Sequence, residues 1–309
     1  MSGSLVSILL AILVQDILPI FVVIGLGWLF ARRTHPDIRI LSKLTFYVLS
    51  PSLVFSSLIK SNVEGGEVIQ IAAFVVGLTI VMGVLAFGAA RLMHFDARQV
   101  AGFVLAVTFV NAGNYGLGVN RLAFGAEAEA RAIIYFVTSS VLVYTVGVLI
   151  ATGFKGGWRG TLRQLAGLPH VYVLVVVLII RATGWQVPEP ILEGINFPAQ
   201  ATIPLMLLLL GMQLSGVSVG QYRRPALVGS VLSLLVAPLM AFGLAGVIGL
   251  SGSARQAAIL EASMPAAVIN TLLATEFNAE PKLVTGTVVI STLLSPITLT
   301  IIIALLQNS

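Results

Sequence analysis

The sequence predicts an all-α integral membrane protein. Ten transmembrane helices form an inverted 5+5 repeat, with helices 4 and 9 broken and crossing at the midplane. Three observations lead there. The composition is that of a chain solvated by lipid. The charges alternate between two sides along ten apolar runs. The two halves match each other at a nearly constant offset.

Of the 309 residues, 58% are hydrophobic and 9% charged, and the mean hydropathy is +1.03. Soluble domains carry about 25% charged residues, and a single soluble core would not hide this much apolar surface. The net charge of +5 sits in short clusters between apolar runs and forms no basic face, so nucleic acid is not an expected partner. Without cysteine there is no disulfide, zinc-thiolate site or Cys nucleophile. No Lys or Arg precedes Arg32, so the N-terminus lacks the basic start of a cleavable signal peptide and reads as the first span.

A span needs roughly 17–25 apolar residues. The ten runs cover 8–30, 40–59, 67–90, 99–121, 131–153, 168–184, 200–219, 226–249, 256–276 and 283–306. Arg32 and Arg33 close the first; Arg39 and Lys60 bracket the second; Arg91 ends the third. Arg98 and Arg121 bracket the fourth, and Arg131 opens the fifth. Pro169 and Gly184 mark the sixth, Gly220 follows the seventh, and Arg224 and Gly249 flank the eighth. Arg255 opens the ninth and Lys282 precedes the tenth. Such ends follow the usual charge, glycine and proline signals.

Twelve of the 17 basic residues fall in alternate loops: Arg32, Arg33, Arg39, Lys43, Arg91, Arg98, Lys155, Arg159, Arg163, Arg223, Arg224 and Lys282. Lys60, Arg121, Arg131, Arg181 and Arg255 lie on the other side. Positive loops stay cytoplasmic, so both termini are expected to be extracytoplasmic, in a multi-pass protein of the cell (inner) membrane.

"ARQVAGFVLA" (97–106) aligns with "ARQAAILEAS" (254–263) at an offset of 157, and "FGAEAEA" (124–130) with "FNAEPKL" (277–283) at 153. "SPSLVF" (50–55) aligns with "IPLMLL" (203–208) at 153, placing Pro51 on Pro204, and "LPIF" (18–21) with "LPHV" (168–171) at 150. The matches keep their order, so residues 1–153 and 168–309 read as two five-helix repeats joined by a connector at 154–167. An odd number of spans inverts the second copy, as in many secondary transporters.

Irregular backbone persists in a bilayer only where it lines a cavity or is buried in protein. "TFVNAGNYGLGVN" (108–120) and "SMPAAVIN" (263–270) interrupt spans 4 and 9. At about 1.5 Å per residue, Asn111 lies roughly 20 Å beyond Arg98 and Pro265 roughly 15 Å beyond Arg255. Both are near the middle of a core about 30 Å thick. Half-helix N-termini present free N–H groups and partial positive charge, which suits an anion. Asn111, Asn114, Tyr115, Pro265 and Asn270 are therefore candidate substrate contacts, with Gly113, Gly116, Gly118 and Pro265 as helix breakers. The competing reading of such residues is close helix packing. Asn120 is set apart, because it adjoins Arg121 at the far membrane surface.

Glu261 lies roughly 9 Å beyond Arg255 by helix rise, and an acid inside a membrane is a functional candidate. It either carries a proton in coupling, or hydrogen-bonds a neighbouring helix, or snorkels. Asp16 is nearer a span end and within reach of water. Pro238 and Pro296, like Pro51 and Pro204, are tolerated kinks. His35, His94 and His170 have no metal-ligand spacing, no phosphate-binding Walker loop is present, and no second deep acid accompanies Glu261. No cofactor, metal or enzymatic activity is expected.

"SPSLVF", "NAGNYGLG", "IPLMLLLLGMQL" (203–214) and "ASMPAAVINTLLATEFN" (262–278) together resemble the auxin efflux carrier family, which includes the plant PIN-formed carriers and many bacterial relatives. The resemblance covers nearly the whole chain. It implies a homodimer, with helices 1, 2, 6 and 7 as scaffold and helices 3–5 and 8–10 as the moving transport part. It also implies an elevator-type movement of a small organic anion, an auxin-like aromatic acid or a dicarboxylate, without ATP. Asn111 matches the crossover asparagine and Pro265 the proline of span 9. The chain departs from the plant pattern at Gly118 (proline there), Glu261 (glutamine) and Asn270 (proline), and lacks the long cytoplasmic loop. The alternatives are an ion- or proton-coupled symporter similar to bile-acid sodium symporters, and a non-transporting membrane sensor of the same fold.

Overall fold

The computed structural model describes residues 5–153, 166–216, 220 and 222–307. The expected connector at 154–167, with Lys155, Arg159 and Arg163, falls almost wholly outside them. The described residues form helices and no strand, apart from one isolated bridge. Among the described residues, seven helices are long and apolar enough to cross a membrane: α1 (Val6–Thr34), α2 (Ile38–Lys60), α3 (Gly65–Leu92), α5 (Ala112–Ala151), α7 (Glu189–Leu214), α8 (Arg223–Ile248) and α11 (Pro281–Gln307). Shorter helices are α4 (Ala97–Thr108), α6 (Pro169–Thr183), α9 (Gly252–Ala262) and α10 (Val268–Glu276).

The count differs from ten for identifiable reasons. The ninth apolar run is divided into α9 and α10. The fourth is divided too, and its second piece runs on into the fifth as α5. Within α5, Gly125 has φ 78° and ψ −165°, a conformation open to glycine. Arg121 and Glu129 meet across that kink at 2.8 Å.

Local sequence explains the helix shapes. Asp96 caps α4 by accepting from the Arg98 and Gln99 N–H groups, and Gln99 accepts from the Asp96 N–H in return, a capping box. Three wide π turns, Leu13–Ile17, Thr45–Leu49 and Leu232–Val236, each end two residues before a proline: Pro19, Pro51 and Pro238. A proline ring strikes the carbonyl of the preceding turn and offers no N–H. Widening that turn relieves the conflict, and the residue before each proline donates five residues back, as Ser50 does to Thr45.

Packing sorts the helices into two groups. α7 lies along α1 and α2, and α6 against α2. α1 and α7 touch backbone to backbone: a Cβ on Gly27 would strike the Leu208 carbonyl, and one on Gly211 the Ile24 carbonyl. In the other group α3 packs on α4, α5 and α8, α9 on α5, and α11 on α8 and α10. Val84, Phe197, Leu239 and Val247 are exposed on the outer faces. Apolar surface of that extent is a liability in water and ordinary in a bilayer.

Candidate functional site

Two helix breaks build the site. α4 stops after Thr108, where Phe109 turns extended (φ −109°, ψ 112°). Asn111 (φ −81°, ψ 60°) then caps the π turn Ala112–Gly116 that starts α5. α9 stops at Ala262; Pro265 withholds an N–H and disfavours helix at Met264, and α10 begins at Val268. The two interrupted segments pair at Val110 and Ala266 in an isolated antiparallel bridge. The Asn111 N–H donates to the Pro265 carbonyl at 2.8 Å, and the Ala267 N–H to the Phe109 carbonyl at 3.0 Å. Asn270 Nδ2 donates to the same Phe109 carbonyl at 2.8 Å, and the Ala266 N–H to Ser291 Oγ at 3.1 Å. The breaks thus satisfy backbone groups that lipid would leave unpaired.

Beside this junction lies a cavity of about 810 Å³. Its inner end is lined by the first residues of both restarted helices: Ala112, Gly113 and Asn114 of α5, and Val268 and Ile269 of α10, with Ala267 before them. Two helix N-termini therefore bring partial positive charge to one space. From there the cavity follows α2 through Ser50, Phe46 and Thr45 to Arg39 and Ile38, roughly 18 Å by helix rise. Arg39 and Lys43 line the mouth, and among the described residues no acid lines any part. Phe46, Tyr47, Phe136 and Tyr144 supply aromatic wall. Three residues that line the cavity hold a buried polar atom without a partner among the described residues: Ser50 Oγ, Asn111 Nδ2 and Gln213 Oε1. Two of these atoms are donors, and a carboxylate is an acceptor.

The expected residues divide by position. Asn111 and Asn114 line the cavity. Tyr115 does not: it points the other way, its hydroxyl 3.0 Å from Ser295 Oγ and its ring edge-on to Phe21. Pro265 contributes a backbone carbonyl and Asn270 a brace; neither lines the cavity. Gly113, Gly116 and Gly118 do not form the break, which falls at Phe109–Asn111, and none has positive φ. They give room instead. A Cβ would press on Phe136 from Gly113, on the Glu261 carboxylate from Gly116, and on Ile203 and Leu207 from Gly118.

Two residues depart from the sequence expectation. Ser50, beside Pro51, faces the cavity. Asn120 is not at the surface: it is fully buried, and its Nδ2 donates to Gly116 O and to Glu261 Oε1, both at 3.0 Å. Adjacent helix residues point about 100° apart, so Arg121 reaches outward while Asn120 faces α9. Glu261 is fully buried and does not line the cavity. A second hollow of about 630 Å³, lined by Lys60, Arg121, Glu129 and Pro204, lies on the side of the sparser basic residues.

A family model described as membrane transport protein matches residues 12–156 and 159–303. The chain is 27% identical over 298 residues, 96% of this chain and 95% of the other, to an uncharacterized transporter of Methanothermobacter thermautotrophicus. It is 26% identical over an alignment of 311 positions, covering 94% of this chain and 95% of the other, to a putative malonate transporter of Rhizobium meliloti. To auxin efflux carrier component 6 of Arabidopsis thaliana it is 26% identical over 144 residues, 44% of this chain and 25% of that protein.

Proposed function

This chain belongs to the membrane transport protein family, that of the auxin efflux carriers, and from that premise we propose that it is a secondary transporter of a small organic anion. It is an integral multi-pass membrane protein. The observation that carries the reading is the convergence of two helix N-termini and of Asn111 and Ser50, each with an unpartnered donor, on a cavity that no acid among the described residues lines. Fixed N–H dipoles and neutral amides bind a carboxylate without burying a counter-charge. Arg39 and Lys43 draw anions to the mouth. The printed names of two relatives, a putative malonate transporter and an auxin efflux carrier component, fit a carboxylate cargo.

The proposal includes ten spans in an inverted repeat, 1–153 and 168–309. Two contacts support it. Val110 pairs with Ala266, 156 residues on, and Thr202 Oγ1 donates to the carbonyl of Leu49, 153 residues back. A two-fold axis brings equivalent positions together, and these separations fall within the 150–157 range of the sequence offsets. Gly125 and Asn278, also 153 apart, both have positive φ. On this reading α1, α2, α6 and α7 are the scaffold, and α3–α5 with α8–α11 the part that moves as an elevator. The larger cavity is open to the cytoplasmic side of the inner membrane, both termini are extracytoplasmic, and the protein is a homodimer.

The test is a thermal-shift screen of the purified protein against organic acids, at two pH values, with and without sodium. A ligand of the folded state at 100 times its Kd adds about 2.7 kcal/mol of apparent stability. Mono- and dicarboxylates should raise the melting temperature and matched neutral amides should not. Stabilisation by the neutral amides alone rejects the anion.

A further inference from the structure

Glu261 and Asn120 are used by nothing in that reading. Both side chains are fully buried, on α9 and α5. They share one hydrogen bond, Asn120 Nδ2 to Glu261 Oε1 at 3.0 Å. Each also holds one oxygen with no partner, Glu261 Oε2 and Asn120 Oδ1. An ionised carboxyl supplies no donor, so both oxygens would stay orphaned in a dry interior, which is costly. One proton resolves both: an Oε2–H donating to Oδ1 closes a ring of two hydrogen bonds between acid and amide.

Among the described residues no cation pairs with the acid. The ion pairs among the described residues are Arg121–Glu129, Arg131–Glu67 and Arg131–Glu127. Arg255, on the same helix, lies over the Phe242 ring. The titratable side chain close enough to interact with Glu261 is Tyr135 of α5. α3, α8 and α11 also pack on α9, and their charged residues, Glu67 and Arg91, Arg223 and Arg224, and Lys282, lie near helix ends.

The pair also reaches the anion site through the backbone. Asn120 Nδ2 holds the Gly116 carbonyl at 3.0 Å, and the Gly116 N–H holds the Asn111 carbonyl at 3.0 Å. The carboxyl occupies the space that a Cβ at Gly116 would fill. We propose that Glu261 and Asn120 form a proton-binding pair that locks the helix break carrying Asn111, and so links proton binding to anion binding. The inference rests on the anion-site reading for its second half only. Loss of the proton to water leaves a carboxylate and an amide oxygen without a donor between them. The amide then turns, releases Gly116, and loosens the turn that positions Asn111 and Asn114.

The test uses the full chain reconstituted in vesicles. The infrared difference between wild type and Glu261→Gln should contain the C=O stretch of a protonated carboxyl at neutral pH. That band should vanish on alkaline titration and move to higher frequency in Asn120→Leu, a second variant that keeps the acid. Carboxylate bands alone at neutral pH, or displacement of the protonated band by sodium, overturn the proposal. The link is read from malonate-induced thermal shifts between pH 7 and 9. Affinity should fall with rising pH, by up to tenfold per unit for one linked proton, and stay flat in Glu261→Gln. A wild-type profile as flat as the variant's overturns the link. If malonate stabilises wild type at no pH, the dicarboxylate cargo fails, and the infrared result still decides the proton site.

Discussion

Asn111 and Pro265 are 154 residues apart in the chain and share a backbone hydrogen bond of 2.8 Å between the N–H of one and the carbonyl of the other. Each residue lies within the break of a helix, and each break supplies what the other lacks. An unpaired backbone group in lipid costs several kcal/mol, so neither break is stable alone. The pairing also fixes where the two helices restart, and both restarts face one cavity.

Asn111→Ala tests the side chain apart from the backbone. Its Nδ2 has no partner, so the variant should fold and melt close to wild type. A hydrogen bond to a charged group is worth about 1.5–3 kcal/mol, so affinity for a stabilising carboxylate should fall roughly 10- to 150-fold. Isothermal titration of both proteins measures it.

Asn270→Leu should behave in the opposite way. Asn270 braces the Phe109 carbonyl from outside the cavity. Losing that buried bond should cost about 1–3 kcal/mol of stability, read as a lower melting temperature, with a smaller loss of affinity than Asn111→Ala.

Gly211→Ala probes the contact between α1 and α7. The added methyl meets the Ile24 carbonyl, and backbone does not move aside as a side chain does. Overpacking of this kind costs about 1–3 kcal/mol. A fall in melting temperature in detergent is expected, while Gly243→Ala, with open space around it, should change little.

Neutralising the mouth should act through salt. Arg39 and Lys43 line the cavity about 16 Å and about 10 Å of helix rise from Ser50, at or beyond the Debye length of about 10 Å at 0.1 M salt. The Arg39→Gln, Lys43→Gln double variant should show a several-fold higher KM for an anion at low ionic strength. The difference should close as salt rises. Uptake into vesicles across a salt series measures it.

Much of this arrangement was legible because lipid makes composition informative. Ten apolar runs stand out, and "NAGNYG" and "SMPAAVIN" mark where two of them fail. What the sequence left hidden is direction. Tyr115 follows Asn114, yet one step of about 100° turns it from the cavity toward Ser295. The same step turns Asn120 inward while Arg121 faces the second hollow. The glycines of 113–118 suggest backbone freedom, but the break belongs to Phe109–Asn111, where aromatic and β-branched residues fit extended backbone and Pro265 and Ala267 hold it. That partner lies in the other half of the chain, so no local signal could point to it. Ser50 is a serine in an apolar helix until the π turn before Pro51 sets it on the cavity wall.

Counterflow of a radiolabelled carboxylate, chosen from the acids that stabilise the protein, tests the central claim most directly. Proteoliposomes loaded with unlabelled acid should transiently accumulate label through wild type and lose that accumulation in Asn111→Ala. Wild-type vesicles without counterflow would contradict transport, and equal counterflow through Asn111→Ala would contradict the site.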